Sequence, residues 1–276
     1  MDLPNWIDTI RRELIVTPIR EDPRTNHRFQ DPLGVPSDTV FDGVIGGGQA
    51  DFDEEWVGPR GKLSGAERAL LYGLFNLKGH LQELTAAFDM LTDRADIGEP
   101  VVLDLGCGPG TGGLALANAL GCDARFTYVG VDRAASMREL GERLMQAAET
   151  RGWMTEVERS WLRDTSELDW REPISWRPVI IIASYLLASP TLDAQALVNG
   201  AMEQVKRIGR GDVAVLYTNS VRPEANQQFP RFRDCLIYEY GFDLIDDNEG
   251  RISTGGNERR LRYALFFRRA DRTLED

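Results

Sequence analysis

The chain has 276 residues, a formal net charge of −12 and an apolar content of 42%, an acidic balance that opposes tight nonspecific binding to a phosphate backbone. Cys107, Cys122 and Cys235 lack C-x-x-C spacing and exclude a disulfide framework, while His27 and His80 are too few and too far apart for a zinc centre, so no metal is expected. No apolar run reaches membrane-spanning length. The opening Met1–Trp6 has neither the basic start nor the apolar core of a signal peptide, so a cytoplasmic location is expected.

In chain order, residues 5 to 15 predict a short amphipathic helix through Trp6, Ile7, Ile10 and Leu14. From Thr17 to about Pro59 the pattern is irregular. Pro18, Pro23, Pro32 and Pro36 punctuate it, and Gly46-Gly47-Gly48 precedes an acidic run from Asp51 to Glu55. Such a stretch reads as a long loop or lid, and the glycine triplet, with no helix pattern behind it, as a flexible linker. Ser64-Gly65-Ala66-Glu67 is a capping box. Behind it Leu70, Leu74, Leu77, Leu81, Leu84, Phe88 and Leu91 make one continuous apolar face. That face predicts a core-packing helix, or the seam of a homodimer, with a bend or a close approach at Gly73 and Gly79.

Val101 to Leu105 is an apolar run that ends in a dense glycine loop, Gly106-Cys107-Gly108-Pro109-Gly110-Thr111, followed by the helix-forming Leu114 to Leu120. The order is strand, tight turn, helix. Glycine allows the turn and lets a ligand approach the backbone closely. Gly108, Gly110 and Gly113 also satisfy the spacing of a dinucleotide-binding loop. Two details point elsewhere. Asp104 stands two residues before Gly106, a carboxylate suited to a cationic ligand. Pro109 removes an N–H that a pyrophosphate cradle would use. Phe126 to Val131 is a second strand, and Asp132 at its end, next to Arg133, is placed either for ribose hydroxyls or as a helix cap.

Asp104, Gly106, Cys107, Gly108, Pro109, Gly110 and Thr111 together resemble motif I of the class I S-adenosylmethionine (SAM)-dependent methyltransferases. The resemblance covers roughly residues 99 to 270. It implies a SAM-binding domain over residues 96–276, with residues 1–95 as an N-terminal cap of helix and loop. The implied fold is α/β: a Rossmann-like, doubly wound, mostly parallel seven-stranded sheet with an antiparallel last strand. The alternation of strands and helices independently predicts a layered α/β sheet. SAM is the implied cofactor, Asp132 its ribose partner with Arg133 as a further cofactor contact beside it, and Asp164, after a third strand near Val157–Leu162, a partner of the adenine. Cys107 reads as a small side chain the loop needs, not as a reactive thiol.

Pro178 to Ala183 predicts a strand buried on both faces. Ser184-Tyr185-Leu186-Leu187 then holds the motif IV position at the cleft mouth, without the Asn/Asp-Pro-Pro or Pro-Cys signatures of DNA methyltransferases. Ser184 is therefore a candidate cofactor contact, and Tyr185 and His80 are candidates for the acid–base role. Thr191–Ile208 and Phe229–Tyr240 read as helices. Asp212–Thr218, Phe242–Ile245 and Arg262–Arg268 read as strands. The expected activity is methyl transfer to a small molecule or a protein. The alternatives are a catalytically silent SAM-binding or ribosome-assembly factor, and an NAD- or FAD-dependent oxidoreductase.

Overall fold

The computed structural model describes residues 5–28, 30–46, 52–58, 61–172, 175–189, 191–254 and 257–271. The chain begins with α1 (Asn5–Arg11), α2 (Thr17–Glu21) and α3 (Ser37–Thr39), then the antiparallel hairpin β1 (Trp56–Gly58) and β2 (Gly61–Leu63). Helices α4 (Gly65–Tyr72) and α5 (Lys78–Thr92) follow, joined by a wider turn. The remainder runs β3 (Val101–Leu105), α6 (Thr111–Leu120), β4 (Thr127–Val131), α7 (Ala135–Thr150), β5 (Glu158–Leu162), β6 (Val179–Ser184), α8 (Ala194–Ile208), β7 (Val213–Ser220), α9 (Phe229–Asp234), β8 (Asp243–Thr254) and β9 (Asn257–Arg268). Among the described residues, no helix is long and apolar enough to cross a membrane.

Seven strands form one sheet in the order β5-β4-β3-β6-β7-β9-β8. β5 through β7 are parallel, and β9 enters antiparallel between β7 and β8. This is the Rossmann-like, doubly wound arrangement, with the antiparallel finish the sequence implied. The central strands are apolar at successive positions because both sheet faces are covered. Val101, Leu103, Leu105, Ile181 and Val215 pack with residues of α8 and α9. Val102, Tyr128, Ile180, Ile182 and Leu216 pack with residues of α5, α6 and α7.

The irregular N-terminal stretch differs from its expectation as a loop or lid. Ile19, Leu33, Val35, Val40, Val44 and Ile45 are buried, and they belong to the same core as α5, α6 and α7. The prolines separate short helical stretches, and the β-branched residues between them converge on one apolar surface. Gly47, Gly48, Asp51 and Pro59 lie outside the described residues. The capping box forms as the spacing predicts: Glu67 N–H donates to Ser64 Oγ at 3.3 Å, and Ser64 N–H to Glu67 Oε2 at 2.7 Å. Gly73 marks a close approach, since a Cβ there would stand 2.7 Å from Ile15 Cδ1. α5, though it precedes residue 96, packs on α6 and reaches β7, β8 and β9. It covers one face of the sheet.

Candidate functional site

Leu105 pairs with Val131 on one side and with Ala183 on the other, so β3, β4 and β6 end level. Gly106, Asp132 and Ser184 therefore emerge together at the carboxyl edge, where the chain order reverses around β3. In open parallel sheets this crevice is where ligands bind. Gly106, Gly108 and Gly110 all have left-handed backbone, at φ 66°, 52° and 71°. Side chains other than glycine reach that region only at a cost. A Cβ at Gly108 would meet nothing nearer than Tyr72 Cε1 at 3.9 Å. At Gly108 the loop thus presents bare backbone with room beside it, which fits a closely held ligand, whereas Cβ atoms at Gly106 and Gly110 would stand 2.8 Å from Leu186 and Trp161.

Asp132 is joined to this loop. Its Oδ2 accepts from Gly108 N–H at 3.0 Å and its Oδ1 from Ala134 N–H at 2.9 Å. Burial pushes the carboxyl up, and the two N–H groups pull it back. Both readings of the residue hold locally: it turns the chain into α7, and it stands beside the glycine loop. Arg133 next to it is exposed. Pro109, Gly110 and Thr111 are buried at the start of α6, with Gly110 as its N-cap.

Asp104 lies beneath the loop. It is 2% exposed, and its Oδ2 accepts from the Tyr128 hydroxyl at 2.7 Å. Burial pushes its carboxyl up to about 7, against the opposing pull of the Tyr128 hydroxyl and the Gly112 N–H. A Cβ at Gly112 would fall 2.4 Å from Asp104 Oδ2, so only glycine fits above it. Burial likewise pushes the Cys107 thiol well up, which opposes any role as a thiolate nucleophile.

A row of aromatic rings faces the loop. The Tyr72 hydroxyl is 3.2 Å from His80 Nδ1, and the His80 ring stacks on Tyr185 with centroids 3.9 Å apart. Burial, then the nearby Asp132, Glu83 and Asp104, push the Tyr72 hydroxyl upward, so it stays protonated. Tyr185 has φ 57°, an uncommon left-handed conformation for a large side chain. Its N–H donates to Thr218 O at 2.9 Å, and the Thr218 hydroxyl donates to Ser184 Oγ at 2.8 Å. His80 and Tyr185, 105 positions apart in the chain, thus meet at the cleft. Asp164 is exposed one strand further out, where its Oδ1 accepts from Ser166 N–H at 2.8 Å and caps a short turn. That N–H holds the carboxyl below its usual value.

Two residues of the site have no signal in the sequence. Asp53 caps α7 from the N-terminal segment, accepting from Ala135 N–H at 2.9 Å and Ser136 N–H at 3.1 Å. It is thereby tied into the fold. Trp161 on β5 lies against three glycines of the site. Added Cβ atoms at Gly110, Gly130 and Gly141 would come within 2.5–2.8 Å of its ring. Its indole N–H donates to Glu142 at 2.6 Å. Among the described residues no group of side chains could hold a metal ion.

No family model and no curated protein matches the chain. Solved structures do resemble it. A SAM-dependent methyltransferase from Methanosarcina mazei is 13% identical, over 66% of this chain and 98% of its own, with a TM-score of 0.45. One from Aquifex aeolicus is 16% identical over 68% and 93%, with a TM-score of 0.42. An arsenic(III) S-adenosylmethionine methyltransferase from Chlamydomonas reinhardtii is 18% identical over 64% and 65%, with a TM-score of 0.41.

Proposed function

We propose that the chain binds SAM in the glycine-loop cleft and transfers a methyl group to a small-molecule or protein acceptor. The observation that carries this reading is the junction of Gly108 and Asp132: bare left-handed backbone tied to a carboxylate at the switch point of the sheet. The backbone of Gly106–Gly110 would hold the cofactor, with Asp132 at its ribose hydroxyls and Asp164 and Ser184 as further contacts. Dinucleotide binding is the weaker alternative. Pro109 offers no N–H to a pyrophosphate, and β9 runs antiparallel between β7 and β8, where the common dinucleotide fold continues with parallel strands.

When bound, the cofactor supplies an electrophilic methyl group on a sulfonium. Methyl displacement asks the protein mainly to align the nucleophile. Tyr185, held by Thr218 and stacked on His80, forms one wall for the acceptor. In the tautomer whose Nδ1–H donates to the Tyr72 oxygen, Nε2 of His80 would take the acceptor's proton where the nucleophile is a hydroxyl or a protonated amine. Tyr72, kept protonated, orients the His80 ring. Residues up to about 95 act as the cap that selects the acceptor, a role supported by Tyr72 over Gly108 and by Asp53 on α7. The second reading is a silent SAM-binding factor, and it is favoured by the engagement of His80 Nδ1 with Tyr72.

Titration calorimetry with SAM, S-adenosylhomocysteine, NAD(H) and FAD tests the ligand. Binding of the first two below millimolar concentration is expected. Binding of a dinucleotide alone overturns the reading. Labelled SAM in a cell extract then separates enzyme from silent factor, because only the enzyme moves the label.

A further inference from the structure

A cavity of about 340 Å³ lies within the N-terminal cap, between the Leu33–Thr39 segment and the β1–β2 hairpin. Its volume falls in the range of pockets that hold small molecules, roughly 300–1,000 Å³. Leu33, Val35, Pro36, Trp56 and Leu63 are its apolar side chains, five of the ten residues that line it. Two cations stand at its border, and both are compensated. Arg24 pairs with Asp22 at 2.7 Å and also with Glu67, and Lys62 pairs with Glu55 at 2.7 Å. An anionic occupant would have to compete with carboxylates already in place. A cationic one would face the Arg24 guanidinium and the Lys62 ammonium.

The wall is also conformationally unusual. Leu33 has φ 52° and the adjacent Gly34 φ 77°. A left-handed leucine persists only where its surroundings hold it, at a cost of order 1–3 kcal/mol. Here its N–H donates to the Thr25 hydroxyl at 3.0 Å, and the side chain is buried. The cavity is distinct from the glycine-loop cleft. From Leu63 the chain enters α4, whose eight residues rise by ~12 Å before Tyr72 meets Gly108.

We propose that this cavity binds an uncharged, largely apolar small molecule that lays a flat portion against Trp56. The inference does not depend on the methyl-transfer reading. Its occupant would steady the segment that runs from Phe52, edge-on to Tyr72, through Asp53, the cap of α7, to Trp56. Ligand in the cap is therefore joined by a short, continuous stretch of chain to the residues beside the glycine loop.

The test uses the full chain and N-phenyl-1-naphthylamine, an uncharged probe that fluoresces in apolar surroundings. Saturable enhancement is expected in the wild-type protein, with at least a tenfold loss of affinity in Val35→Trp, which fills the cavity. Thr39→Phe narrows the cavity at a half-exposed position and gives the same result if Val35→Trp fails to fold, as judged by thermal melting. S-adenosylhomocysteine is expected to leave the probe bound. Absence of saturable enhancement, enhancement untouched by a folded filling variant, or displacement by S-adenosylhomocysteine overturns the proposal. Because the probe signal does not require methyl transfer, failure of that function leaves this outcome readable.

Discussion

Replacing Asp104 by Asn should change how stability depends on pH, in a direction set by its burial. The native carboxyl titrates at about 7, against about 3.9 for an unfolded aspartate. A raised folded value means that the contribution of this group is fully present below the unfolded value and is lost as pH rises through the folded one. The loss accumulates from about pH 4 to about pH 7, at ~1.4 kcal/mol per pH unit. Depressed carboxylates such as Asp22, Glu67 and Glu142 work in the opposite sense, but their titration is complete by about pH 5. Between pH 5 and pH 7 the wild-type protein should therefore lose about 2 kcal/mol that the Asp104→Asn variant retains, the slope flattening as the native carboxyl begins to ionise. Asn keeps an acceptor for the Tyr128 hydroxyl, and any unmatched amide N–H adds a penalty of about 1–3 kcal/mol that does not vary with pH. Urea unfolding at several pH values measures the difference. If the gap between variant and wild type stays constant from pH 5 to pH 7, or moves the other way, Asp104 is not held protonated by its burial and the account of the loop's underside fails.

Three other outcomes follow from the site. Gly108→Ala places a methyl group in the bare space of the loop at φ 52°; S-adenosylhomocysteine affinity should fall about tenfold or more, ~1.4 kcal/mol, with a stability cost of ~1–2 kcal/mol from the left-handed backbone, both read by calorimetry. Asp53→Ala removes the cap of α7 and should cost about 1 kcal/mol, with faster amide exchange at Ala135 and Ser136; unchanged exchange there refutes the capping role. Trp161→Ala empties the space against Gly110, Gly130 and Gly141, and should cost about 3 kcal/mol in urea unfolding while also weakening cofactor binding through the loop it supports.

Local patterning was enough to read much of this protein. The strand, glycine loop and helix from Val101 to Leu120 follow from apolar runs and from glycines at left-handed positions. The capping box at Ser64 follows from a four-residue spacing, and the buried strand at Val179–Ser184 from its unbroken apolar run. These features depend on neighbours within a turn or two, so the chain alone carries them. Other features depend on register between strands and on packing between distant segments. Asp104 reads as a carboxylate for a cation; the pairing of β3 with β4 instead sets it beneath the loop, against Tyr128. The prolines between Thr17 and Pro36 hide any period, so only packing shows that Ile19, Val35, Val40 and Val44 share a core with the sheet helices. His80 and Tyr185 read as separate candidates in the sequence, because stacking between a helix and a strand end leaves no trace in sequence spacing. Asp53 and Trp161 were silent for the same reason: a cap supplied from 82 positions away and an indole set against three glycines exist only once the tertiary fold has brought them together.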